Sequence, residues 1–278
     1  MLSLDQLMQF ERDGFLILEN FLSHESCDEL KARARKLVFE FDPAEVVSIF
    51  STHEQNRIAD DYFLESSDKI RFFFEENAFN ADGTLKQPKE QSINKIGHGL
   101  HDCDSLFGRF SRDPKIKELI SDLDLTNPLL MQSMYIFKQP RIGGEVNCHQ
   151  DSTFLYTIPN AIAGLWFALE DATVENGCLW AIRGGHHAGL KSRWVRNPDG
   201  GMKFINLSAK DWAMEHLVPL EVSKGTLIVL HGLLPHLSRQ NTSLRSRHAY
   251  TLHVISGDVE YAEDNWLQRR SEFPARGF

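Results

Sequence analysis

Cysteine is scarce in this chain, with four in 278 residues at Cys27, Cys103, Cys148 and Cys178. None forms a Cys-x-x-Cys pair, which removes zinc ribbons and thioredoxin-like redox motifs. The wide scatter also excludes a disulfide-stapled secreted scaffold. Reduced thiols in a cytoplasmic setting are the expectation. Positive charge is short too: 30 Lys+Arg stand against 39 Asp+Glu, a formal net charge of −9. A general nucleic-acid binder needs concentrated positive charge, so nucleic acid is not expected as a partner. No apolar run reaches the length that crosses a bilayer as a helix, so no membrane partner is expected either. Residues 1–10 contain Asp5 and lack the charged and apolar blocks of a signal peptide. The terminal Ala275-Arg276-Gly277-Phe278 is not a peroxisomal address of the Ser-Lys-Leu type. Repeats, low-complexity tracts and Pro/Ser-rich linkers are missing, and no feature fixes an oligomeric state.

What is present is an ordinary globular composition, 42% hydrophobic and 25% charged, enough for a sizeable core. Ser3 can cap a helix bearing Leu4, Leu7, Met8 and Phe10 on one face, and Gly14 can stop it. Phe15–Leu22 reads as a strand. Ser23 can cap a helix through Leu30, Ala34, Leu37 and Phe41, ended by Asp42-Pro43. Val46–Asp61 fits strand or loop. Ser66–Phe79 reads as helical, with Ile70, Phe73 and Phe74 on one side, and Asn94–His101 as irregular after a short strand. Asp113-Pro114 opens a further helix. After Pro128 short apolar runs alternate with turn residues. Leu129–Lys138, Val146–Gln150, Ile162–Glu170, Cys178–Ile182, Leu217–Val222, Thr226–His231 and His248–Ser256 all read as strands, a spacing that predicts a β-sandwich or barrel. The expectation is one domain over 1–278: a helix-rich 1–127 packed around a β core at 128–256, with a short tail at 257–278.

Chemistry enters at Asn147-Cys148-His149-Gln150-Asp151. Side chains at i and i+2 of an extended strand point the same way. His149 and Asp151 can therefore grip one metal ion from one side. A His-x-Asp pair alone also fits a hydrogen-bonded polar pair at a strand end. The candidate third ligand is His236, which starts the extended segment Pro235-His236-Leu237-Ser238. Ser238 shares its face, and Arg247 follows on the next strand. Two histidines and one carboxylate make the facial triad of non-haem Fe(II) oxygenases, which leaves coordination positions open. Arg247 suits a carboxylate because its planar fork stays charged. His231 is a rival ligand without a cation in useful reach, and His253 sits inside the last strand with no evident partner. A zinc hydrolase also fits three ligands plus water, but leaves Ser238 and Arg247 idle. Arg183, Lys191, Arg193 and Arg196, with Trp194, form a basic stretch that reads either as a contact for an anionic substrate group or as a solvated loop.

The run from Gly225 through His231, His236, Ser238 and Asn241 to Arg247 and His253 resembles the C-terminal signature of the phytanoyl-CoA dioxygenase family. Asn147–Asp151, Trp166–Asp171 and Asn176-Gly177-Cys178-Leu179 match its other blocks in order. Ser92–His98 and Glu263–Leu267 point to its group of domain-containing proteins. The resemblance implies a mainly β chain with peripheral helices around a double-stranded β-helix (jelly-roll, cupin-like) core. It implies Fe(II), 2-oxoglutarate and O2 as cofactors, and hydroxylation of a small organic substrate coupled to formation of succinate. It assigns the metal to His149, Asp151 and His236 and the far carboxylate of 2-oxoglutarate to Ser238 and Arg247. It places Lys95, Met134, Gln150 and Trp166 along the co-substrate pocket. Where many members carry Pro-Gly-Ser-His, this chain has Arg183-Gly184-Gly185-His186, near the expected mouth of the site, a difference that bears on substrate and not on iron. The alternative is a silent jelly-roll module that keeps the pocket without turnover.

Overall fold

The protein was analysed as a computed structural model, which describes residues 1–43, 47–50 and 61–278. Most of the Val46–Asp61 stretch lies outside the described residues. The expected helix starts are found where the caps stand. Ser3 accepts from the Gln6 amide at the start of α1 (Leu4–Asp13), and Gly14 ends that helix at φ +80°. Ser23 caps α2 (His24–Glu40). After α3 (Asp61–Leu64), α4 (Leu100–Cys103) and α5 (Ser105–Ser111), Asp113 caps α6 (Pro114–Asp122), which has Pro at its first turn.

A seven-stranded antiparallel sheet dominates. Its order is β1 (Phe15–Leu18), β12 (Leu227–His231), β7 (Ile162–Ala168), β14 (Ala249–Ile255), β4 (Leu129–Ile136), β3 (Ile93–His98) and β2 (Ile70–Phe74). A four-stranded sheet faces it, in the order β11 (Leu217–Leu220), β8 (Leu179–Ile182), β13 (His236–Ser238) and β5 (Val146–His149). Two small pairs complete the strands, β9 (Ser192–Arg196) with β10 (Met202–Asn206), and β6 (Thr157–Ile158) with β15 (Glu260–Tyr261). The sheets are antiparallel and do not close on themselves, the sandwich form of a jelly roll.

Alternation along the strands sets the layers. On β7, Ala163, Leu165 and Phe167 join the outer core beneath the helices, with Leu30 and Ala34 of α2, Phe107 of α5 and Ile116 and Leu119 of α6. Trp166 and Ala168 face inward, against Leu179 and Ala181 of the small sheet. β14 repeats the pattern: Tyr250, Leu252 and Val254 lie outward, while Ala249 joins the inner cluster.

Two expectations fail. Ser66–Phe79 is not helical; Ile70–Phe74 is the edge strand β2. Three consecutive aromatics satisfy either period over so short a run, and here both faces are covered. Phe72 stacks on Phe41 with centroids 4.3 Å apart, while Phe73 lies opposite Lys95. Asn94–His101 is likewise mostly ordered strand, β3, running to His98. Residues 1–127, expected to be helix-rich, thus give three strands to the large sheet. The basic stretch holds a strand as well, β9, hairpinned to β10.

Candidate active site

Register alone assembles the inner floor of the site. Gly164 of β7 is opposite His253 of β14, which is opposite Gln132 of β4. The next inward row is Trp166, Thr251, Met134 and Gly97, and the row beyond it ends in Ile136 and Lys95. From the facing sheet, β13 and β5 pair His236 directly with His149. These rows and the facing pair line one cavity of about 170 Å³, with Asp151, Ser238 and Arg247.

His149 closes β5; Gln150 continues extended, at φ −116° and ψ 140°, and Asp151 begins a 3-10 turn. That conformation puts His149 and Asp151 on one side, as the i, i+2 argument requires. The ligand atoms of His149, Asp151 and His236 all lie within 4.8 Å of one another. Asp151 Oδ1 is 3.9 Å from His149 Nε2 and 3.7 Å from His236 Nε2. Each imidazole is oriented from behind. His149 Nδ1 lies 2.8 Å from the Asn147 carbonyl and His236 Nδ1 lies 3.0 Å from that of Leu234. A proton on each Nδ1 satisfies those carbonyls and leaves both Nε2 lone pairs facing inward.

Burial by itself would raise the Asp151 carboxyl. The imidazoles of His253, His236 and His149 outweigh it and hold the group well below the ordinary carboxylate range. Its Oδ2 is buried without a hydrogen-bond partner, and among the described residues only these imidazoles lie within ion-pairing distance of the carboxylate. Gly164 makes room for it: a Cβ there would stand 2.6 Å from Oδ2. A buried carboxylate and two oriented imidazoles are a donor set that fits a divalent metal.

The other end of the cavity is built on Gly177. Its carbonyl accepts from Ser238 Oγ at 3.0 Å and from Arg247 Nε at 3.0 Å. Arg247 Nη2 also reaches Ser238 Oγ at 3.3 Å, whereas Nη1 is buried with no partner. Burial pushes the Arg247 guanidinium down to about 10, still charged at neutral pH. Its carbon centre lies 5.1 Å from the Trp166 ring. A buried, unpartnered guanidinium N–H in a cavity that also holds the triad fits an anionic co-substrate. Lys95 is buried on the same floor, with Nζ 3.9 Å from Met134 Sδ and 3.6 Å from the Phe50 ring centroid.

Other expected residues are placed differently. The side chain of Gln150 does not line the cavity. Its amide donates to the Gly189 and Leu233 carbonyls, at 2.8 and 2.7 Å, and its oxygen accepts from the Lys191 amide, so it pins the loops around the ligand turn. The basic stretch is spent on intramolecular contacts. Arg183 pairs with Asp13 and Arg193 with Asp264; Arg196 donates to the Trp266 and Leu64 carbonyls, and Lys191 to that of Lys210. No residue of Arg183–His186 lines the cavity; Gly184 donates to the Asp13 carbonyl and His186 Nε2 lies 2.9 Å from that of Glu11, which docks α1.

His253, expected to lack a partner, is the residue that sequence reasoning missed. Its Nε2 lies 3.3 Å from Asp151 Oδ1. The signal was its inward parity on β14, two residues from Thr251, but its neighbour Gly164 carries no chemistry to suggest it. His253→Leu is expected to weaken metal binding about 10- to 100-fold, the usual effect of losing a group that orients a ligand. Cobalt(II) titration followed by its d–d absorption reads this directly, and affinity within twofold of the parent would contradict it.

The chain has clear matches among known proteins. A family profile described as phytanoyl-CoA dioxygenase (PhyH) matches residues 10–249. A curated phytanoyl-CoA dioxygenase of Arabidopsis thaliana is 50% identical over 266 residues, covering 95% of this chain and 93% of that one. A phytanoyl-CoA dioxygenase domain-containing protein 1 homolog of Dictyostelium discoideum is 47% identical, covering 97% of each chain. Among solved structures, EctD from S. alaskensis with 2-oxoglutarate and 5-hydroxyectoine superposes with a TM-score of 0.66 at 20% identity, over 99% of this chain and 84% of that one.

Proposed function

The chain belongs to the phytanoyl-CoA dioxygenase family, an iron- and 2-oxoglutarate-dependent oxidoreductase class, and from that premise we propose that it hydroxylates a small organic substrate while converting 2-oxoglutarate to succinate. The observation that carries this is the pairing of a convergent His149–Asp151–His236 set with the partnerless Arg247 N–H in one cavity.

His149, Asp151 and His236 would hold Fe(II), and Ser238 and Arg247 the far carboxylate of 2-oxoglutarate, with Lys95, Met134 and Trp166 alongside. Iron held there supplies the oxidative decarboxylation of 2-oxoglutarate by O2 that drives substrate oxidation. The protein's part is geometry and charge. The Asn147 and Leu234 carbonyls fix both imidazoles, Asp151 offsets metal charge, and Gln150 steadies the turn between the ligands. Phe63, Phe154, Leu155, Trp194 and Trp266 wall the cavity and exclude water from the reacting centre. They suit a substrate with an apolar body. An anionic group on it draws no support from Arg193 or Arg196, which are already paired. We place the enzyme in the cytoplasm on the strength of its four free thiols. Among the described residues, no helix is long and apolar enough to cross a membrane. We treat 1–278 as one functional unit, because β1, β2 and β3 belong to the same sheet as the site.

Succinate release tests the reading, with protein loaded anaerobically with Fe(II) and 2-oxoglutarate and then given O2. Metal- and oxygen-dependent succinate is expected from the parent and none from His149→Ala or Arg247→Ala. Binding of 2-oxoglutarate without turnover against any substrate would identify a silent module instead, and no binding at all would remove the role given to Arg247.

A further inference from the structure

Lys138 is buried, 1% exposed, and lines the same cavity. It follows β4 with φ +40°, a left-handed conformation that non-glycine residues seldom adopt. Three contacts bring it beside Arg247. The Arg247 amide donates to the Lys138 carbonyl at 3.3 Å. The Lys138 side chain runs over Gly177, where a Cβ would come within 2.5 Å of its Cε. The carbonyl of that same Gly177 holds Arg247 Nε and Ser238 Oγ.

Two buried basic groups, Lys138 and Arg247, line this end of the cavity, and the buried carboxyl near them, Glu75, which burial pushes up, makes an ion pair with neither. Lys138 Nζ donates to the Gly144 carbonyl at 2.5 Å. Glu75 Oε2 accepts from the Gly144 amide at 3.0 Å and from Asn94 at 2.9 Å, while its Oε1 has no partner. Buried charge of one sign is expensive unless an opposite charge arrives.

We propose that Lys138 is a second cationic anchor, beside Arg247, for the 2-oxoglutarate carboxylate remote from the metal. The inference rests on the reading of Arg247 given above. It has a consequence in protons. The groups facing Lys138 are Arg247, Glu75, Glu145 and Cys178, the last a neutral thiol pushed up to about 11 by burial. Burial and then Arg247 bring the Lys138 ammonium down to about 7, against the pull of Glu75. At pH 8 the free site therefore holds Lys138 mostly neutral. An arriving carboxylate favours the charged form, so binding takes up a proton, and affinity falls as pH rises above about 7.

Anaerobic calorimetry of the Fe(II)-loaded protein tests this with two ligands, 2-oxoglutarate and pyruvate, which lacks the remote carboxylate. Lys138→Met is expected to weaken 2-oxoglutarate about 10- to 100-fold, the span of one lost charge-assisted hydrogen bond, and to leave pyruvate within twofold. Lys138→Arg should keep most of the preference. Repeating the parent titration at pH 8 in buffers of different ionisation enthalpy should show uptake of about one proton, absent in Lys138→Met. An unchanged 2-oxoglutarate affinity in Lys138→Met overturns the proposal, as does an equal loss for both ligands, which marks a packing role. Absence of proton uptake by the parent removes the pH dependence, and Lys138→Gln, read on the same two ligands, overturns or upholds the anchor should Lys138→Met misfold. Failure of the parent to bind 2-oxoglutarate at all is a different result and strikes at Arg247 itself.

Discussion

Asp151→Asn is expected to eliminate iron-dependent succinate release and to remove the stabilisation that metal gives the fold. The change keeps the side chain's shape, so Gly164 still accommodates it and the turn from Gln150 stays intact. What it removes is the negative charge between His149, His236 and His253. A divalent ion held by the triad would become the main partner of that buried charge in the parent. The amide gives the ion no charge to meet, and its NH2 group cannot ligate. Metal that binds only the folded state stabilises by about 2.7 kcal/mol at a hundredfold excess over Kd, which for a chain of this size is roughly 5–10 °C in Tm. Thermal scans with and without Mn(II), a redox-silent stand-in for Fe(II), should show that shift in the parent and almost none in Asp151→Asn. A shift of equal size in both would mean that the metal sits elsewhere, and the triad would lose its role.

Part of the candidate site was legible because its spacing is local in sequence. His149 and Asp151 share a face through strand parity, and Ser238 shares one with His236 for the same reason. The strands that the two main sheets draw from the chain after Pro128 were readable from short apolar runs between turn residues, whereas β6, β9, β10 and β15 were not, and the helix starts were readable from Ser3, Ser23 and Asp113. What escaped depends on partners distant in the chain. Phe72-Phe73-Phe74 fits helix or strand until Phe41 and β3 cover its two faces. The basic residues near β9 look free until the C-terminal tail supplies Asp264 and the Trp266 carbonyl. His253 and Lys138 gain meaning only from register and burial, the first opposite Gly164 and the second over Gly177. The Asn-Gly-Cys-Leu block matched a family pattern, but its physical reason appears only in three dimensions.

That reason predicts the second large effect. Gly177→Ala is expected to destabilise the protein by about 2–5 kcal/mol and to abolish 2-oxoglutarate binding. Residue 177 has φ +87°, where an added Cβ is strained by roughly 1–2 kcal/mol. The Cβ would also stand 2.8 Å from the Arg239 carbonyl, which is backbone and cannot swing aside, as well as 2.5 Å from Lys138 Cε, which can. Overpacking of this kind costs roughly 1–3 kcal/mol more. Relief requires the 177 backbone to move, and its carbonyl is the shared acceptor for Ser238 Oγ and Arg247 Nε. Both groups then lose the alignment that presents the partnerless Arg247 Nη1 to the cavity. Metal binding, built on β5 and β13 and the turn at Asp151, should survive at the other end. Urea unfolding measures the first effect, and calorimetry with 2-oxoglutarate against cobalt(II) titration separates the second from general damage. If Gly177→Ala binds cobalt(II) and 2-oxoglutarate like the parent, the carbonyl of residue 177 is not what positions Arg247. If it loses both, the damage is to the fold as a whole. Loss of 2-oxoglutarate alone is the outcome that the shared carbonyl requires, because among the described residues it is the backbone group that accepts from the Ser238 and Arg247 side chains together.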